Sequence, residues 1–68
     1  MTAAEIQNLF TYHPPKAEQI PKYEELRKAA QGFAVVVNGL TPPGLEQQAA
    51  LVRIREAVMW ANAAIALK

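Results

Sequence analysis

Apolar residues in the last third of the chain recur at the three-to-four spacing of a helix, in the segment TPPGLEQQAALVRIREAVMWANAAIALK. No glycine or proline follows Gly44, so the spacing predicts one continuous helix over about 42–67, with Thr41 as N-cap and Pro42 in the first helical position. Two neighbouring rows of apolar residues run along it. The first contains Leu51, Ile54, Val58, Ala61 and Ile65, and the second contains Leu45, Ala49, Val52, Met59, Ala63 and Ala66. Because two apolar faces need two sets of partners, the pattern predicts a multi-chain assembly.

A second row at helical spacing predicts another long helix over about 18–38. It contains Tyr23, Leu26, Ala30, Phe33, Val37 and Leu40. Pro21 is tolerated only in a first turn, so either the helix begins near Glu18 or one irregular turn precedes Pro21. Asn38-Gly39 indicates a left-handed C-cap that ends this helix. The short segment LTPPG then predicts that the two long helices lie antiparallel as a hairpin.

The N-terminal segment predicts a short helix over about 2–10. Thr2 is a suitable N-cap, with Glu5 three residues later, and the pair Pro14-Pro15 prevents the helix from continuing. The predicted fold class is therefore all-α: a short N-terminal helix and an antiparallel two-helix hairpin. This forms a single domain over 1–68 that assembles as a helical homo-oligomer.

Composition favours a small binding protein over an enzyme. The 68 residues are 51% hydrophobic and include no cysteine, no serine and one histidine, His13. A core this small seldom provides more than about 3–5 kcal/mol without disulfides, a metal or oligomerisation. Without thiols, and with no histidine to pair with His13, we expect no metal or cofactor, and nucleophilic catalysis has almost no suitable groups. No apolar run approaches the roughly 18 residues that cross a membrane, so we expect a cytoplasmic protein with no membrane partner.

Aromatic residues and cations alternate around the double proline, as in sites that stack a base and bind a phosphate. The residues are Tyr12, His13 and Lys16, followed by Lys22, Tyr23, Arg27 and Lys28. Tyr23 fits the helical row better as a core residue, and Lys22 and Lys28 are ordinary solvated charges by default. In the last helix, Arg53, Arg55 and Glu56 indicate an intermolecular salt bridge or a surface ion pair in preference to a ligand contact. Trp60 is expected to pack at an oligomer interface together with the first apolar row, Leu51, Ile54, Val58, Ala61 and Ile65.

Two stretches, YHPPKAEQIPKYEELRKAA and REAVMWANAAIA, resemble a family of small phage sponge proteins. These proteins counter cyclic-oligonucleotide-based antiphage signalling (CBASS), and their hairpin domain is shared with a Thoeris anti-defence family. The resemblance implies a hexamer, arranged as a trimer of dimers, in the cytoplasm of an infected bacterial host. It also implies sequestration of cyclic dinucleotides, and in some members cyclic trinucleotides, without cleavage. Tyr12 then corresponds to the residue on the ligand base and Arg27 to the residue on its phosphate.

Further ligand candidates are His13, Lys16, Lys28 and Lys68. Relatives end in Ile-Ala-Arg where this chain has Ile65, Ala66, Leu67 and then Lys68, so Lys68 is the residue left to replace that arginine. They also carry more polar and basic residues where this chain has Leu45, Gln47 and Gln48. The resemblance therefore implies that this chain matches the family's dinucleotide site better than its trinucleotide site.

Two other function classes compete with a cyclic-nucleotide sponge. An oligomeric helical protein–protein interaction module would use the same apolar faces. A general single-strand nucleic-acid binder fits less well, because seven cations against six carboxylates leave a net charge of only +1. We therefore expect no DNA or long RNA partner.

Overall fold

The computed structural model describes all 68 residues. It contains α1 (Ala3–Phe10), a 3₁₀ turn (Ala17–Gln19), α2 (Ile20–Leu40) and α3 (Leu45–Ala66), with no strand. The all-α prediction is confirmed, including the segment FAVVV, which is helical despite its strand propensity.

The start of α1 is capped as its sequence predicts. The Thr2 hydroxyl oxygen accepts a hydrogen bond from the Glu5 N–H at 3.1 Å, and the same hydroxyl donates to the Glu5 carboxylate at 3.2 Å. After Phe10 the chain turns extended. The Thr11 hydroxyl donates to the Gln7 carbonyl at 2.6 Å, which satisfies a carbonyl in the last turn of the helix. Every residue of α1 is exposed, so α1 does not form a core with the hairpin.

The irregular start of α2 follows the second of the two predicted alternatives. A 3₁₀ turn over Ala17–Gln19 precedes the regular helix, and Pro21 occupies its first turn, where a missing N–H costs no helical hydrogen bond. The Lys16 N–H donates to the Gln19 side-chain oxygen at 2.9 Å, and the Gln19 N–H donates back to the Lys16 carbonyl at 2.9 Å. This pair of hydrogen bonds fixes the entry into α2.

The connection between the long helices differs from the prediction in two respects. Asn38-Gly39 does not end α2, which continues to Leu40, and no left-handed cap forms there. Thr41 caps the helix instead, because its N–H and its hydroxyl both donate to the Val37 carbonyl. Pro42 does not begin α3, which starts at Leu45 after Gly44, the one residue with positive φ. A residue before proline avoids the helical region, so Pro43 keeps Pro42 out of the helix.

Two side-chain amides show that α2 and α3 run antiparallel. At the turn, Gln47 Nε2 donates to the Asn38 carbonyl at 3.2 Å and to the Thr41 carbonyl at 2.9 Å. At the open end, Gln19 Nε2 donates to the Ile65 carbonyl at 3.1 Å. The predicted hairpin is therefore confirmed, with both of its ends closed by hydrogen bonds.

The seam between α2 and α3 is formed by half-buried residues spaced three or four apart. They are Gln19 in the 3₁₀ turn, then Tyr23, Leu26, Ala30, Ala34 and Val37 on α2, and Gln47, Leu51, Ile54, Val58, Ala61 and Ile65 on α3. Two predicted members of the α2 row lie outside it, since Phe33 is 59% exposed and Leu40 is 81% exposed. The row advances from Ala30 to Ala34 by a full four residues, which turns Phe33 about 100° away from the seam.

The hairpin is a single layer of helices and has no interior. Its Cα atoms span 46 × 28 × 12 Å, and the radius of gyration is 15.3 Å, against about 11 Å for a compact domain of this length. No residue is fully buried, and the accessible surface is 5731 Å². A compact protein of this mass exposes about 4,200 Å². Most of the apolar surface of both long helices therefore remains in contact with solvent in the single chain.

Candidate ligand-binding surfaces

The two broad sides of the hairpin differ in chemistry. One side carries a groove between α2 and α3 that we call the alanine groove, because Ala29, Ala30, Ala50, Ala57 and Ala61 contribute to it together with Phe33. The other side carries the arginine groove, lined by Arg27, Ala30, Gln31, Ala34, Leu51, Ile54, Arg55, Val58 and Met59. The two grooves share Ala30, Ile54 and Val58, which are seam residues, so they open on opposite sides of the seam.

Tyr12 and His13 lie on the extended segment between α1 and the 3₁₀ turn. Tyr12 is 81% exposed, so its ring is free to stack on another group. His13 is half-buried, and its Nε2–H donates to the Asn8 carbonyl at 2.7 Å. This hydrogen bond, together with Pro14 and Pro15, fixes the backbone beside Tyr12. His13 thus has a visible positioning role, with one ring nitrogen already engaged.

Arg27 and Lys28 are neighbours in sequence but lie on different surfaces. Arg27 lines the arginine groove, whereas Lys28 lines none of the grooves described here and is exposed. Adjacent helical residues point about 100° apart, which explains the separation. Tyr12 and Arg27 do not line a common groove in the single chain. The pairing of Tyr12 and Arg27 on one ligand stays a prediction.

Lys16 and Lys68 meet at the open end of the hairpin. Together with Lys22, Glu18, Gln19, Ala64 and Ile65 they line a polar groove of about 430 Å³, which we call the lysine groove. Gln19 connects its two walls, because its oxygen accepts from the Lys16 N–H and its nitrogen donates to the Ile65 carbonyl. Three lysines against one glutamate make this groove electropositive, and it is suited to binding anions.

The residues predicted for the oligomer interface fall into two groups. Leu51, Ile54, Val58, Ala61 and Ile65 are half-buried along the seam with α2, so part of their surface is already covered within the chain. Trp60 lies on the outer face of α3 and is 71% exposed, beside Val52, Met59 and Ala63. Their contacts with other chains remain predictions, and Trp60 retains most of its surface for such a contact.

Two features of these surfaces differ from what the sequence predicts. Lys22 is not an isolated solvated charge, because it belongs to the lysine groove. Of the two arginines in the middle of α3, only Arg53 pairs with Glu56, at 2.8 Å, whereas Arg55 lines the arginine groove with Arg27. Further along α3, Asn62 Oδ1 is buried without a hydrogen-bond partner. The antiparallel register set by the LTPPG turn is the one signal that points to the Arg27–Arg55 proximity before the structure is known.

Comparison with known proteins gives one match. A family model described as Acb2/Tad1, hairpin domain, matches residues 2–66. No curated protein and no solved structure gives a match. No helix is both long enough and apolar enough to span a membrane.

Proposed function

The chain belongs to the Acb2/Tad1 hairpin-domain family of phage anti-defence sponges, and on that premise we propose that it binds and sequesters cyclic oligonucleotide second messengers without cleaving them. Cyclic dinucleotides are the principal ligands in this proposal, and cyclic trinucleotides are a second class. The observation that carries it is the family match, which covers residues 2–66 and thus the loop of Tyr12 as well as both long helices.

The dinucleotide site is proposed to form between two chains. A cyclic dinucleotide has two bases and two phosphates related by an approximate two-fold axis, and a two-fold dimer presents every side chain twice. Tyr12 is exposed on its loop, while Arg27 lies two turns into α2 in a different surface region. Their separation in the single chain favours a shared site, in which two tyrosines stack on two bases and two arginines bind two phosphates. The expected stoichiometry is one ligand per two chains.

The lysine groove is the proposed site for the larger cyclic trinucleotides. The family resemblance implies that Lys68 stands in for an arginine. Lys16 and Lys22 line the same groove, so three ammonium groups are available to a bound phosphate. Ammonium groups bind phosphates as point charges without a fixed planar geometry. We therefore expect this groove to hold its ligand more weakly and with a stronger dependence on salt than the arginine groove.

The assembly is proposed to be a hexamer built as a trimer of dimers. The chain exposes about 1,500 Å² more than a compact protein of its mass, close to twice the roughly 800 Å² that one partner buries in a standard interface. Two separate apolar surfaces are available for two interfaces, the alanine groove and the outer face of α3 around Trp60. One interface would form the dimer and the other would join the dimers.

The function requires tight equilibrium binding and no chemistry. To hold a signal below the threshold of its effector, the sponge needs nanomolar affinity, about −12 kcal/mol. The deciding experiment mixes purified protein with cyclic GMP-AMP, cyclic tri-adenylate and a short linear RNA, measures binding, and then recovers the ligand by heat denaturation. Recovery of intact cyclic ligand, with no affinity for the linear RNA, is the expected result. Cleaved ligand would indicate a hydrolase instead.

The alanine groove favours one competing function, a helical protein-interaction module. Ten of its eleven lining residues are hydrophobic, and it contains no cation except Arg53. Absence of binding to any cyclic ligand, together with a stable oligomer, would favour this module over the sponge.

A further inference from the structure

Arg27 and Arg55 lie on different helices, yet both line the arginine groove. Neither guanidinium forms an ion pair or a hydrogen bond within the chain, whereas Arg53 donates to the Glu56 carboxylate at 2.8 Å. No carboxylate lines the arginine groove. Arg27 and Arg55 therefore have no ion-pair partner in the chain, although Arg55 also lines the outer face of α3 together with Glu56.

Two unpaired arginines beside an apolar groove carry an energetic cost once water is excluded. Like charges repel more strongly as the local dielectric constant falls, and a desolvated cation requires a counter-charge. A second chain that covers the groove would exclude water, so both the repulsion and the desolvation cost would rise. An anion between the two guanidiniums would offset both costs, because each planar guanidinium donates two parallel hydrogen bonds to a phosphate.

The rest of the lining leaves room for such an anion. Ala30 and Ala34 line the α2 side of the groove, and their small side chains leave room beside the guanidiniums. Gln31 adds an amide that can donate a hydrogen bond, and Met59 adds a flexible apolar wall. The volume is about 300 Å³ in one chain, at the lower limit for small-molecule sites, and a two-fold dimer would present two such grooves.

We infer that Arg55 is a second phosphate-binding residue of the dinucleotide site and that it acts on the same phosphodiester groups as Arg27. This inference rests on the proposed function. A two-fold dimer then presents four guanidiniums to a ligand with two phosphates, one from α2 and one from α3 for each phosphate. Because Arg55 lies on α3, it reaches this groove only through the antiparallel packing of α2 and α3. Ligand binding then depends on the register between the two helices.

The test compares Arg55→Gln with the matched control Arg53→Gln, using calorimetric titration with cyclic GMP-AMP at low and moderate ionic strength. Arg55→Gln should weaken binding at least about tenfold and flatten its salt dependence, because a charge-assisted hydrogen bond to phosphate is lost. Arg53→Gln loses an exposed ion pair and one side chain at the alanine groove, so once sedimentation shows an unchanged oligomer mass its affinity should lie within about fivefold of the wild type. Arg55→Lys should restore the salt dependence but only part of the affinity.

Other outcomes would overturn the inference. If Arg55→Gln binds like Arg53→Gln while Arg27→Ala binds poorly, the sponge function stands and the role of Arg55 is wrong. If Arg55→Gln lowers the oligomer mass while the remaining complexes keep wild-type affinity, a carboxylate of another chain is its partner. If the wild type binds neither cyclic GMP-AMP nor cyclic tri-adenylate, the proposed function fails and the inference fails with it.

Discussion

The Gln19 side chain donates a hydrogen bond to the Ile65 carbonyl, 46 residues further along the chain, at 3.1 Å. Its oxygen simultaneously accepts from the Lys16 N–H at 2.9 Å. One amide therefore joins the entry of α2 to the last turn of α3 and holds the two walls of the lysine groove together. It also gives the Ile65 carbonyl a second, shorter hydrogen bond beside the one that it accepts from the Lys68 N–H at 3.4 Å.

Replacing Gln19 should weaken both the hairpin and the lysine groove. Gln19→Leu loses two hydrogen bonds, so we expect the free energy of unfolding to fall by about 1–3 kcal/mol, measured by chemical denaturation at a fixed protein concentration. Gln19→Glu is the matched comparison, because it keeps the acceptor for Lys16 but places a carboxylate against the Ile65 carbonyl. If Gln19→Glu is as stable as the wild type, the bond to Ile65 contributes nothing.

Trp60 should report assembly directly. It is the only tryptophan in the chain and is 71% exposed in the single hairpin. If the outer face of α3 is an oligomer interface, its fluorescence should be blue-shifted at micromolar concentration and move towards that of a solvated indole on dilution. Sedimentation at the same concentrations supplies the mass. An assembled protein whose emission equals that of free indole in water would place the interface elsewhere.

Ala61→Glu should dissociate the assembly. Ala61 is half-buried on the seam and borders the alanine groove, where a glutamate would put a charge between closely packed apolar surfaces. The expected result in analytical ultracentrifugation is loss of the species larger than a dimer. Ala4→Glu is the control, because it makes the same change on the exposed helix α1. Unchanged mass and helicity in Ala61→Glu would show that this seam position has been misassigned.

Tyr12→Ala should weaken cyclic dinucleotide binding by roughly two orders of magnitude or more, since stacking contributes about 1–3 kcal/mol per base and two copies are lost. Tyr12→Phe keeps the ring and should bind nearly as the wild type does. Neither change should alter the oligomer mass, because Tyr12 is 81% exposed and lies off the seam. Calorimetry gives affinity and stoichiometry together. One ligand per chain would contradict a shared site even if affinity fell.

Arg27→Ala should weaken binding comparably, and Arg27→Lys should recover part of the loss, because an ammonium group lacks the planar fork that binds two phosphate oxygens. Lys28→Ala is the neighbouring control: Lys28 is exposed and lines none of the three grooves described above, so its removal should leave affinity almost unchanged. Equal losses in Arg27→Ala and Lys28→Ala would indicate a general charge effect instead of a site.

The sequence alone determined that this chain is an all-α hairpin with too much apolar surface for one small domain. Helical periodicity is a local property, and the rows from Tyr23 to Val37 and from Leu51 to Ile65 each persist over several turns. The cap at Thr2 and the break at Pro14-Pro15 are equally local, so they too could be predicted from neighbouring residues.

The tertiary structure was needed to show which cations share a surface. The connection itself follows local effects, because Thr41 closes α2 on the Val37 carbonyl and Pro43 keeps Pro42 out of α3, which starts at Leu45. The register depends on how α2 and α3 pack, with Gln47 beside Asn38 and Gln19 beside Ile65. Register then assigns Arg27 and Arg55 to one groove and Lys16, Lys22 and Lys68 to another. Such groupings depend on how two helices pack across more than 25 residues of sequence, which the spacing within either helix does not specify.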